Sequence, residues 1–205
     1  QTGGPSGGCL PESELDLTVD FDALTAKGSM MGSGGMIVMD ESTCMVDFAK
    51  YFTNFLRFES CGKCVTCRDG LKRMWQILER ICTGAGKESD LDLIEELGET
   101  IHEASLCALG GTAANPVLST LRYFRDEYMA HIEGHTCPAK VCKELITFDI
   151  DNDKCTGCTL CAKRCPTGAI TGEKKGPHFI AQDKCIKCRV CFEACPTKWA
   201  AVEIS

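Results

Sequence analysis

The sequence predicts a mainly α protein with a small α+β part at its C-terminal end, and three observations carry that expectation. Between residues 44 and 132, apolar side chains recur at three- and four-residue steps in four stretches, the spacing of amphipathic helices. From residue 146 onward a cysteine-rich run occurs twice, KCTGCTLCAKRCP at 154–166 and KCIKCRVCFEACP at 184–196, flanked by β-like segments, ITFDID at 146–151 and AVEI at 201–204. The chain also carries 17 cysteines in 205 residues, with three CxxCxxC triplets among them.

Taken in order, residues 1–43 are rich in Gly and Ser and hold one short β-like run, GMIVMDE at 35–41. That is too little apolar material for a core, and it reads as the tail of an upstream domain. QTGGPSGGC is an unusual start, so the chain is expected to be the C-terminal part of something longer. Residues 44–132 read as a four-helix bundle. Met45, Phe48, Phe52, Phe55 and Leu56 form the face of the first helix. Leu71, Met74, Trp75, Leu78, Ile81 and Cys82 form the second, which Gly84 stops. Ser89 opens the third, with Leu91, Ile94, Leu97 and Ile101. The fourth has Asn115 as N-cap and Pro116 in its first turn, then Leu118, Leu121, Phe124 and Tyr128. Residues 133–145 are a linker, and 146–205 form the last domain.

Composition excludes several classes. No signal peptide opens the chain, the cysteine count is odd, and CxxC spacing dominates, so a secreted disulfide scaffold is rejected in favour of metal or cluster ligation in a reducing, cytoplasmic setting. No apolar run approaches the roughly 20 residues of a membrane helix. A net charge of −7 argues against nucleic acid as a partner.

The repeated run CxxCxxCxxxCP is the bacterial ferredoxin pattern, in which three cysteines bind one [4Fe–4S] cluster and the fourth binds the other. One cluster then takes Cys155, Cys158, Cys161 and Cys195, and the second takes Cys185, Cys188, Cys191 and Cys165. Zinc ribbons need separated pairs, not triplets. The triplet Cys61, Cys64 and Cys67 has the same three-corner spacing but no fourth cysteine beside it. Cys82, Cys107, Cys137 and Cys142 are the candidates. Cys82 reads as a buried thiol on an apolar face. Cys107, in SLCALGG on a glycine-bearing turn after the third helix, is the preferred fourth ligand. Cys137 and Cys142 lie near His131 and His135, and with Cys44 they make a set fit for zinc, the choice of histidine staying open at this point. Cys9 reads as a loop thiol, and His102 and His178 as surface residues.

SCGKCVTCRDG, followed by SLCALGG and NPVLSTLRYFRDEY, resembles the flavoprotein subunit of NADH dehydrogenase (complex I) and its relatives in NAD(P)-linked [FeFe] hydrogenases and formate dehydrogenases. GGPSGGCLPE and GSMMGSGGMIVMDE match the stretch before that family's bundle, and the appended double-cluster domain is most similar to the hydrogenase β subunits. The resemblance implies a bundle [4Fe–4S] cluster on Cys61, Cys64, Cys67 and Cys107, and its AHI segment favours His131 over His135. The family's FMN and NAD(P) loops have no counterpart here, so both cofactors are expected only in an upstream part. What the resemblance implies is an electron-transfer segment of a multisubunit, electron-bifurcating hydrogenase, itself without catalytic residues. Its expected partners are the upstream FMN/NAD(P) domain, the [FeFe] catalytic subunit, a thioredoxin-like [2Fe–2S] subunit and soluble ferredoxin. The alternatives are the same segment in a formate dehydrogenase or an NADH–ferredoxin oxidoreductase, or a free polyferredoxin carrier.

Overall fold

Apolar residues at helical spacing become helices here wherever they have a face to bury. The computed structural model describes residues 1–205 in two units, Gln1–Leu145 and Ile146–Ser205. The first contains α1 (Phe21–Ala26), α2 (Met45–Glu59), α3 (Val65–Cys82), α4 (Ser89–Glu103), α5 (Ala108–Thr112), α6 (Asn115–Tyr123) and α7 (Arg125–Ile132). The second contains β1 (Phe148–Ile150), α8 (Leu160–Arg164), β2 (Ile170–Gly172), β3 (His178–Ile180), α9 (Val190–Ala194) and β4 (Val202–Ile204). The chain is helix-rich with two small sheets, and no helix is long and apolar enough to cross a membrane.

In the first unit α2 packs on α3, α3 on α4, α4 on α6 and α6 on α2, while α7 lies against α2, α3 and α6. Leu71, Met74, Ile77, Leu78 and Ile81 of α3 are fully buried, as are Ile94 and Ile101 of α4 and Tyr128 of α7. Each such side chain contributes about 1.5–3 kcal/mol of burial. Asp90 is buried in the first turn of α4, where it accepts from the Lys87 N–H at 2.9 Å and pairs with Arg80.

Four expectations need correcting. The fourth helix is two: α6 ends at Tyr123 and α7 begins at Arg125, with Phe124 between them off helical geometry. The hydroxyls of Ser119 and Thr120 bond back to the carbonyls of Asn115 and Pro116, an arrangement that bends helices, and Thr120 Oγ1 lies 2.8 Å from Tyr128 Oη across the break. Ala114, not Asn115, holds the cap position. Phe55 is 42% exposed, because the buried stripe of α2 runs through Met45, Ala49, Phe52 and Leu56 and leaves Phe55 to one side. The β-like run at 35–41 makes only an isolated bridge, Met36 with Thr2, and Ile37 and Val38 stay exposed. A strand needs a long partner, and only Gln1 to Gly3 lie alongside.

In the second unit β1 pairs antiparallel with β4, Phe148 opposite Ile204, and β2 with β3, Gly172 opposite His178. α8 packs on α9. The repeat extends to the backbone: Gly157 and Lys187, and Thr159 and Arg189, occupy matching positions and are all left-handed, with φ between 54° and 67°. These residues curl each cysteine loop tightly before its short helix.

Candidate metal centres

Cys61, Cys64 and Cys67 lie in the connection from α2 into α3, with Cys64 at the cap position and Cys67 in the first turn. Arg68 Nη1 donates to the Gly62 carbonyl at 2.9 Å and closes the loop, and Ser60 Oγ stands 3.3 Å from Cys67 Sγ. Cys107 occupies the cap position of α5. Its segment is held to the start of α3, since Thr66 Oγ1 donates to the Ala104 carbonyl at 3.1 Å. The glycines expected in a turn are helical instead, and Gly110 has a steric role. A Cβ at Gly110 would press into Ser105 Cβ and meet Cys67 Cβ at 3.6 Å. Glycine there lets α5 approach the triplet.

In the second unit one cavity is lined by Cys155, Cys158, Cys161 and Cys195. The other is lined by Cys165, Cys185, Cys188 and Cys191. Each cavity thus has three cysteines of one run and the last cysteine of the other. The remaining walls are largely apolar, with Phe148, Ile170, Ile180 and Ile186 on one and Ile150, Trp199, Ala201 and Val202 on the other. Burial pushes the Cys191 thiol up to about 11 and raises Cys161 as well. Cys165 moves the other way: burial opposes it, but the Thr167 hydroxyl and the amides of Thr167, Ala169 and Ile170 hold its thiol below the ordinary value. Thiolate ligands in apolar walls, with N–H donors on sulfur, are the donor set that an iron–sulfur cluster requires.

A third set is built differently. Cys44 caps α2 and its Sγ accepts from the Asp47 N–H at 3.4 Å. Cys44, His131, Cys137 and Cys142 are all buried, and their ligand atoms lie within 4.8 Å of one another. His131 Nε2 is 3.4 Å from Cys44 Sγ and 3.3 Å from Cys142 Sγ, and the two sulfurs are 3.8 Å apart. Tetrahedral zinc with bonds near 2.3 Å to sulfur and 2.0 Å to nitrogen would set these edges at about 3.8 and 3.5 Å. His131 Nδ1–H donates to the Glu127 carbonyl at 2.7 Å, which frees Nε2 as the ligand atom. The amides of Val141 and Cys142 donate to Cys137 Sγ at 3.3 and 3.5 Å. Cys137 also accepts from the thiols of Cys142 and Cys44, which holds it far below the ordinary cysteine value and pushes its two donors up. His135 is outside the set.

The remaining cysteines do not join these sets as primary donors. Cys82 is buried on α3 and, with Asp47, lies within 4.8 Å of Cys142. Cys9 is fully buried, donates to Gln1 Oε1 at 3.0 Å, and is pushed up to about 12 by that burial. His178, expected at the surface, is 1% exposed and lines the Cys155 cavity. Sequence reading missed it because its neighbour Phe179 looks like the inward residue, yet Phe179 is 56% exposed. The thirty-residue offset of the repeat, which sets His178 in the place of Phe148, was the signal that would have found it.

Cysteine-lined cavities together with a triplet closed by a distant loop define an iron–sulfur protein. Its family follows from comparison with known proteins. Residues 47–131 match the model of the family described as the NADH-ubiquinone oxidoreductase-F iron-sulfur binding region, and residues 148–204 match that of the 4Fe-4S dicluster domain. Among curated relatives, the NADP-reducing hydrogenase subunit HndC of Solidesulfovibrio fructosivorans is 52% identical over 178 residues, 87% of this chain and 36% of the relative. The NADH-quinone oxidoreductase F 2 subunit of Rhizobium meliloti (strain 1021) is 47% identical over 136 residues, 66% of this chain and 32% of the relative. The chain therefore spans about a third of the length of these relatives. Among solved structures, the NAD+-reducing [NiFe]-hydrogenase in the H2-reduced state aligns with a TM-score of 0.58 at 30% identity, over 64% of this chain and 22% of that chain.

Proposed function

We propose that this chain is the electron-relay segment of an NAD(P)-linked, electron-bifurcating hydrogenase, with three [4Fe–4S] clusters and one structural zinc ion. The observation that carries the reading is the HndC match: at 178 residues it is longer than either unit alone, and so extends over parts of both the helical unit and the dicluster unit. The NADH-quinone oxidoreductase match covers 136 residues, which favours a hydrogenase over a quinone-linked parent. In this reading Cys61, Cys64, Cys67 and Cys107 hold the first cluster. Cys155, Cys158, Cys161 and Cys195 hold the second, and Cys185, Cys188, Cys191 and Cys165 the third. Bound clusters supply one-electron transfer. The chain's own residues supply thiolates, apolar walls and amide donors, and full cysteine ligation leaves no open position for a substrate. Cys44, His131, Cys137 and Cys142 would hold zinc and pin the linker to the start of α2 and the end of α7, a hinge role. Flavin and nicotinamide chemistry belongs to an upstream domain that binds FMN and NAD(P). The further partners are an [FeFe] catalytic subunit, a thioredoxin-like [2Fe–2S] subunit and a soluble ferredoxin, in the cytoplasm.

Iron, sulfide and zinc analysis of the anaerobically purified chain, with EPR after reduction, tests this. The expected content is about 12 iron atoms for three cubane clusters and a single zinc. About eight iron would remove the triplet from the cluster sites and leave a dicluster protein with a helical attachment.

A further inference from the structure

The two cavities of the second unit are related by the repeat but are not closed alike. Phe148 and His178 occupy matching positions, each the first residue of a three-residue strand and each buried. Phe148 lines the cavity of Cys165, Cys185, Cys188 and Cys191. His178 lines that of Cys155, Cys158, Cys161 and Cys195. An apolar wall on one side is thus an imidazole on the other.

The imidazole sits in a place built for it. Gly172 is its cross-strand partner, and a Cβ there would stand 2.6 Å from His178 Cγ. His178 Nε2 is the one buried side-chain nitrogen or oxygen without a hydrogen-bond partner. Nδ1 lies 3.8 Å from Cys155 Sγ. With Nε2 unpartnered, a proton carried on Nδ1 has the sulfur of Cys155 as its acceptor. A buried polar ring of this kind costs stability unless it is paired.

Resting on the cluster reading above, we propose that His178 is a tuning residue for the cluster held by Cys155, Cys158, Cys161 and Cys195, donating Nδ1–H to the Cys155 thiolate. Reduction adds one electron and one negative charge to that cluster. The hydrogen bond strengthens with this charge while its proton stays on nitrogen, so it favours the reduced form and raises the potential. Phe148 offers the other cluster no such donor.

The test is a redox titration followed by EPR on the full chain, purified anaerobically, with iron counted in every sample. His178→Phe, which copies the other half, should shift the reduction equilibrium of one cluster about tenfold toward the oxidised form, about 59 mV for a one-electron couple. The other clusters should not move, and His178→Gln, which keeps a donor, should restore part of the shift. An unchanged midpoint in His178→Phe at full iron content, or an equal shift in both dicluster transitions, overturns the proposal. Pulsed EPR on the unmodified sequence with 15N-histidine does not depend on how the variants fold. It should show a histidine nitrogen coupled to a reduced cluster, lost in His178→Gln, and no such coupling also overturns the proposal. Unmodified protein with only about four iron atoms would instead overturn the dicluster assignment itself, and the role of His178 with it.

Discussion

The donor set around His131 and the triplet around Cys64 lie in the same helical unit, yet they are spaced for different occupants. Cys44, His131, Cys137 and Cys142 are buried with every ligand atom within 4.8 Å of the others. Cys61 and Cys107 are exposed, Cys64 is half-buried, and the triplet forms no such tight group. Three thiols and an imidazole pressed this close together are the donor set that the proposed zinc ion would take. Thiols set apart on two loops suit the larger body that a cluster would be, in the reading proposed above. Spacing between donor atoms, more than their identity, separates an ion site from a cluster site.

Variants that touch one site only separate the two sites. Cys142→Ser should have the largest effect, removing zinc and costing roughly 3–5 kcal/mol of stability, the scale of stripping one partner from a buried charged set. Zinc analysis and thermal unfolding would show it, with the iron content unchanged. Cys107→Ser should lower iron from about 12 to about eight atoms and leave zinc in place; loss of both metals together would join the two sites. Gly110→Ala should cost about 1–3 kcal/mol by overpacking against Ser105, with iron occupancy of the helical unit reduced in the same sample. Thr66→Val removes the bond to the Ala104 carbonyl and should cost about 0.5–1.5 kcal/mol. In that variant the EPR signal should persist but become sensitive to mild heating.

Much of this was legible in the residues because thiolate clusters impose local spacing. The two ferredoxin-type runs and the triplet are written within a dozen residues each, and the apolar stripes of α2, α3 and α4 follow helical periodicity. What failed depends on contacts between distant residues. The break at Phe124 comes from hydroxyls bonding back to the helix and from the Thr120–Tyr128 contact. Gly110 reads as a turn former because its steric partner, Ser105, meets it only once α5 has formed. His178 is misplaced because, beside Phe179, polarity points the wrong way. His131 needs the resemblance, since His131 and His135 both have ligand chemistry and only the fold separates them.

Cys44 and Cys142 stand 98 positions apart in the chain, and an ion shared between them would tie a knot of timing as well as of space. Chains emerge from the ribosome N-terminal end first. Cys44 and the triplet are therefore made long before the last donor, and no complete zinc site exists until residue 142 has appeared. The thiols of Cys61, Cys64, Cys67 and Cys107 are all on hand earlier. In the order of synthesis, then, the proposed cluster donors are complete before the proposed donors of the ion that would fasten the linker, and such a clasp would close only on a finished helical unit.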